Sequence, residues 1–109
     1  MGIAEDRSYS TYLEMAEKES SLENGIDVVA IVTPNNVHAE SAIAFLKKGI
    51  HVICEKPLTA TLDQAKDLAK VARESKALFI LTHNYSGYAL IRQAREMIQA
   101  GEIGKIITV

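Results

Sequence analysis

Blocks of apolar and polar positions alternate along this chain, and their lengths predict its elements. Thr11 and Glu14 have the S/T-x-x-E form of a capping box, after which Tyr12, Met15, Ala16 and Glu19 recur at helical spacing as far as Asn24-Gly25, a stop signal. Val28-Val29-Ala30-Ile31-Val32 is a continuous apolar run, the pattern of a strand covered on both faces, and Thr33-Pro34-Asn35-Asn36 ends it. From Val37 to Lys48 the apolar Ala39, Ala42, Ile43 and Leu46 return to helical spacing, with Gly49 as a left-handed cap. His51-Val52-Ile53-Cys54 reads as a second strand that runs into Glu55-Lys56-Pro57. Thr61 with Gln64 then opens a helix whose inner stripe is Leu62, Ala65, Leu68, Ala69 and Ala72.

The pattern repeats once more. Leu78 to Thr82 is a third strand, His83-Asn84-Tyr85-Ser86-Gly87-Tyr88 a third polar cluster, and Leu90, Ile91, Ala94, Met97 and Ile98 the stripe of a last helix ending at Ala100-Gly101. Gly104 to Val109 then reads as the opening of a further strand. Strands alternating with helices imply right-handed crossovers and a parallel sheet with flanking helices, an α/β fold. Three strands are few for such a sheet. The expected architecture is therefore a partial Rossmann-type sheet that lacks the first βαβ unit and a carboxyl-terminal domain. Residues 1–104 are expected to be the latter part of a nucleotide-binding domain, and 105–109 the first strand of a second one.

Composition narrows the function without choosing it. Of 109 residues, 48% are hydrophobic, as in ordinary globular proteins, and the net charge of -2 offers no basic field to hold a phosphate backbone, so no nucleic-acid partner is expected. The single Cys54 cannot form an internal disulfide. No apolar run approaches the roughly 20 residues that span a bilayer, so no membrane partner is expected. With no charged, apolar leader in view, the cytoplasm is the expected compartment.

Three strand ends carry polar clusters on one edge of the inferred sheet, where open α/β sheets bind ligands: Thr33-Pro34-Asn35-Asn36, Glu55-Lys56-Pro57 and His83-Asn84-Tyr85. Each alone is ordinary turn chemistry. Lys56 precedes a proline, which disfavours helical geometry there and aims the ammonium; it is either a cation for a substrate hydroxyl or ribose, or a solvated partner of Glu55. Pro57 is a position for a cis peptide. His38, in the first turn of its helix, either meets a ligand or caps its own loop. Asn84 has the donor and acceptor that a carboxamide or sugar hydroxyl needs, or is a turn residue. His51 at the opposite edge is structural, and Cys54 is a packed residue with no base beside it. The histidines and the cysteine lie on separate elements without ligand spacing, so no metal site is expected. The chain holds no G-x-G-x-x-G, the turn that cradles a dinucleotide pyrophosphate.

The run Ile26 to Asn35 followed by His38, and Gly49 to Leu58 with its Glu55-Lys56-Pro57, together resemble the Gfo/Idh/MocA oxidoreductases. Thr82-His83-Asn84-Tyr85 and Ala100 to Lys105 continue the likeness, which spans roughly residues 9 to 109. The resemblance implies an amino-terminal Rossmann domain that binds NAD or NADP. It also implies a second domain that often mediates oligomers, so a homo-oligomer is expected, and hydride transfer to or from a sugar, inositol or related polyol. By that resemblance Thr33, Pro34, Asn35 and His38 line the nicotinamide-ribose side, followed by Glu55 and Lys56. Lys56 would be the catalytic contact, reaching both ribose and substrate hydroxyl, and Asn84 a further cofactor contact. The glycine-rich loop is expected before residue 1, and the Asp and His of the second domain after residue 109. Two other readings compete: a non-catalytic α/β fragment that self-associates and binds no cofactor, and a receiver-like regulatory domain. The latter would want acidic strand ends where this chain has Thr33-Pro34-Asn35 and Lys56.

Overall fold

A computed structural model describes residues 5–108; residues 1–4 and Val109 lie outside the described part. The elements follow the sequence pattern: α1 (Tyr12–Ser21), β1 (Val28–Ile31), α2 (His38–Lys47), β2 (His51–Cys54), α3 (Leu62–Glu74), β3 (Phe79–Leu81) and α4 (Ala89–Gln99). The strands form one parallel sheet in the order β1-β2-β3, so every polar cluster after a strand falls on the same edge. Ile31 pairs with Cys54 and Cys54 with Leu81, which brings Val32-Thr33, Glu55-Lys56 and Thr82-His83 out side by side.

Local chemistry sets the helix ends. Thr61 accepts the Gln64 amide while the Gln64 side chain accepts the Thr61 amide, the reciprocal capping box the sequence predicts. At α1 only half of the box forms. Thr11 accepts from the Glu14 amide, but the Glu14 carboxylate takes the amide and hydroxyl of Ser10 instead. Gly49 closes α2 at φ 79°, a backbone conformation that glycine adopts without strain.

The core lies on one side of the sheet. Val29, Ile31, Val52, Cys54 and Phe79 meet Ala42, Phe45 and Leu46 of α2 and Leu68 of α3, and Ala16 of α1 closes the end. Both crossover helices therefore cover the same face. The opposite face, with Val28, Ala30, Ile53 and Ile80, has no cover among the described residues, and Ile80 is 51% exposed. This corrects the expectation of strands covered on both faces: a continuous apolar run records that both faces suit burial, not what buries them.

The end of the chain departs too. None of the residues of α4 is buried, and its stripe of Leu90, Ile91 and Ile98 faces water. The radius of gyration is 18.3 Å, against about 13 Å for a compact chain of this length, because α4 projects from the body. Residues 105–108 form no strand; a strand needs a neighbour to take its backbone groups, and none lies beside them among the described residues.

Candidate functional site

The rim at the carboxyl ends of the strands is built from three loops, and two side chains tie those loops together. His38, 1% exposed at the start of α2, places Nε2 at 2.7 Å from the Thr33 carbonyl oxygen and Nδ1 at 2.9 Å from that of Pro57. It therefore bridges the loop after β1 to the loop after β2. Both ring nitrogens face carbonyl oxygens, which only accept, so the ring holds both loops when each nitrogen carries a hydrogen and otherwise donates to one of them; of the two readings of His38, its contacts match the one that fastens its own loop. Glu55 makes the corresponding link to β3. Its Oε1 accepts the Thr82 hydroxyl at 2.6 Å, and its Oε2 accepts the Lys56 amide at 3.2 Å. The Thr82 hydrogen bond, aided by the Lys56 amide and ammonium, holds the Glu55 carboxyl below the usual carboxylate range against the cost of burial.

With Glu55 so engaged, the Lys56 ammonium has no ion-pair partner among the described residues, and the side chain is exposed on the rim. Lys56 meets Glu55 through its backbone amide and at longer range through its charge, without a close ion pair between the two side chains. The Lys56–Pro57 peptide is cis. Lys56 and Asn84 line one cavity of about 230 Å³ together with Thr82, His83, Tyr85 and Tyr88. Tyr85 and Tyr88 pack edge to face there, with ring centroids 5.6 Å apart. Thr33, Pro34 and Asn35 do not line that cavity. They stand exposed at the end of β1, joined to its neighbour through His38, and Asn35 opens a 3-10 turn, Asn35–Val37, that leads into α2.

Two residues read as structural are so placed. The Nδ1 atom of His51 accepts the Leu78 amide at 2.9 Å and fastens the entry to β3. Cys54 is fully buried, and burial pushes its thiol above the ordinary value, away from nucleophilic use. Among the described residues no group of His, Cys, Asp or Glu has the arrangement of a metal site, and no helix is long and apolar enough to cross a membrane.

The sequence places Thr82 and Tyr85 at the third strand end and Tyr88 just after it, without assigning any of the three a role of its own. A signal for Thr82 existed: once Cys54 pairs with Leu81, the next residues, Glu55 and Thr82, must be neighbours. No comparable signal marks the tyrosines, whose meeting depends on the turn Asn84–Gly87.

Comparisons with known proteins agree with this geometry. A solved oxidoreductase from Sinorhizobium meliloti superposes with a TM-score of 0.88 at 62% identity, over 94% of this chain and 29% of that one. An inositol dehydrogenase homolog from Azotobacter vinelandii, solved with NADH and myo-inositol, superposes with a TM-score of 0.86 at 40% identity, over 93% of this chain and 27% of that one. The levoglucosan dehydrogenase of Pseudarthrobacter phenanthrenivorans is 37% identical over 83 residues, 76% of this chain and 21% of its own length. The chain thus spans about a quarter of the length of the relatives it matches. The model of the oxidoreductase family with an NAD-binding Rossmann fold matches residues 3–83. The α/β sheet, the polar rim and these matches agree: the chain belongs to the Gfo/Idh/MocA family of oxidoreductases.

Proposed function

We propose that this chain supplies the nicotinamide side of an NAD- or NADP-dependent oxidoreductase acting on a sugar, inositol or related polyol, within an enzyme of the length of its relatives. In this reading residues 1–104 are the latter part of the cofactor domain, and 105–109 lead into a substrate and oligomerisation domain. One observation carries it: an exposed Lys56 ammonium, with no ion-pair partner among the described residues, on the rim of a parallel sheet and sharing a cavity with Asn84. The donor set fits the cofactor half assigned to it. Asn35 and Asn84 offer neutral amides suited to ribose hydroxyls and a carboxamide, and Lys56 adds a single cation. No glycine-rich turn in the chain serves the pyrophosphate. When bound, nicotinamide takes or gives the hydride at C4. The Lys56 ammonium donates hydrogen bonds to the substrate hydroxyl oxygen and the ribose and orients the carbon toward the ring; a cation has no lone pair for the proton that leaves oxygen as the C–H bond breaks, which passes to a base in the rest of the enzyme. Thr33 and Pro34 shape the loop against which the ribose lies.

The test is Lys56→Ala in the full-length enzyme. Turnover should fall about 100-fold or more, the scale of losing a charged donor to the oxygen on which charge develops, with an unchanged circular dichroism spectrum. Near-normal turnover would remove Lys56 from catalysis. A full-length protein that oxidises no polyol with either nucleotide would remove the reading itself.

The uncovered sheet face and the free edge of β1 favour a second reading of the isolated chain: it self-associates and binds no cofactor appreciably. Light scattering should then give a mass above 11.9 kDa that rises with concentration, and an NADH titration of the 109-residue chain should show no micromolar binding. A monomer that binds NADH would overturn it.

A further inference from the structure

We propose that His38 is a positioning residue: it acts through the backbone of two loops and not by touching cofactor or substrate. The inference rests on the reading of the rim as the nicotinamide side, and it concerns what keeps that rim in shape. A histidine with 1% exposure and both nitrogens on main-chain carbonyls, at 2.7 Å to Thr33 and 2.9 Å to Pro57, is spent on the scaffold. Those carbonyls belong to the loops that carry Asn35 and Lys56. Thr33 lies two residues before Asn35, and Pro57 directly follows Lys56.

The loops need such a tie because β1 and β2 are hydrogen-bonded only up to their ends. The last ladder bond runs from the Glu55 amide to the Ile31 carbonyl, and beyond it no backbone hydrogen bond joins the two loops among the described residues. The Thr33 and Pro57 carbonyls therefore have no strand partner. The ring is a rigid spacer between them, and with an N–H at each end it donates to both. Ser41, one turn along α2, donates to the Val37 carbonyl at 2.7 Å and anchors the helix start on which the ring is mounted. The other side of the Lys56 loop is held by the bond from Thr82 to Glu55. Lys56 thus sits between two fixed points, and loss of one lets its backbone move although no ligand-facing side chain has been substituted.

Two variants separate positioning from contact. His38→Phe keeps a planar ring of similar size and removes both nitrogens, and His38→Gln keeps one donor. The first readout is amide hydrogen exchange in the ligand-free 109-residue chain. His38→Phe should speed exchange about tenfold in segments 33–37 and 55–58, the scale of one lost hydrogen bond, with α3 unchanged, and His38→Gln should affect one segment only. The second is NADH binding and steady-state kinetics of the full-length enzyme. There kcat should fall about tenfold and the NADH dissociation constant should rise by a similar factor, with partial recovery in His38→Gln. Weakened NADH binding with unchanged exchange in the free chain would make His38 a ligand contact and overturn the proposal. So would faster exchange with unaltered binding and turnover, which would make the ring merely structural. If His38→Phe does not fold, the one-segment pattern of His38→Gln decides. A wild-type enzyme that binds no nicotinamide nucleotide would defeat the functional reading alone, and exchange would still judge the tie between the loops.

Discussion

Arg7 closes on Glu19 through two nitrogens, with Nε at 2.7 Å and a terminal nitrogen at 2.5 Å, and so pins the start of the chain to the buried end of α1. The Glu19 carboxylate also accepts the Tyr9 hydroxyl at 2.6 Å and the Ile26 amide at 3.1 Å, so four donors converge on one side chain that is 2% exposed. Removing the acceptor leaves several donors unmet at once, which costs more than the net worth of any one bond. Glu19→Ala should therefore lower the thermal midpoint further than Arg7→Ala, which leaves the tyrosine and amide contacts in place. Equal drops would show that the ion pair alone matters.

Two carboxylates of α1 predict the acid limit. The Lys18 ammonium and the Ser10 hydroxyl and amide hold Glu14 down to about 2, from an ordinary value of 4.5. Hydrogen bonding from Tyr9 and Arg7 lowers Glu19 against the cost of burial. A carboxyl depressed in the folded state stabilises above its ordinary value, and that contribution is lost as pH falls through the folded one. Resistance to urea should hold from neutrality to about pH 4.5 and then decline toward pH 2. Glu14→Gln should flatten the lower part of that decline, and an unchanged profile would sink this account.

Phe45 is 2% exposed and sits where α2 meets the sheet, among Leu46, Val52 and Leu68. Phe45→Ala should cost about 3–5 kcal/mol in urea unfolding, much of a small domain's total stability. A loss near 1 kcal/mol, the scale of the Thr61→Ala cap deletion, would mean the core is loosely packed there.

Two glycines should respond differently to alanine. A Cβ on Gly25 would lie 1.9 Å from the Glu19 carbonyl oxygen, so the turn itself must move. A Cβ on Gly49 meets nothing within 4 Å, and only its φ of +79° resists. Gly49→Ala should cost about 1–2 kcal/mol, the left-handed penalty, and Gly25→Ala visibly more. Thermal unfolding of the pair checks the order, and the reverse order would refute it.

Most of the architecture could be read from the chain because its signals are local. The Thr61–Gln64 box, the Gly49 cap and the three apolar runs each declare themselves within a few residues. Glu19 fell on the inner stripe of α1 at helical spacing, but its partners Arg7 and Tyr9 lie 12 and 10 residues away, on a segment with no periodicity. The rim shows the same division. That three polar clusters share an edge follows from parallel order, and Lys56 and Asn84 do meet in one cavity. Which side chains face outward is a tertiary fact. His38 and Glu55 have ligand-like chemistry, yet their polar atoms turn to neighbouring loops, and no spacing rule separates those outcomes. The apolar runs likewise encode a wish for cover without naming the cover, which is why the second sheet face and the 105–108 segment read differently in three dimensions.

The projecting α4 has a consequence of its own. At 11 residues it is shorter than the 12–15 that an isolated helix generally needs to persist in water, and it packs no buried side chain against the body. Its coil-to-helix balance is therefore set by whatever surface lies over Leu90, Ile91 and Ile98. Docking and winding become one event, and the segment beyond Tyr88 should brighten or fade in solution spectra as a single unit when that surface arrives or leaves.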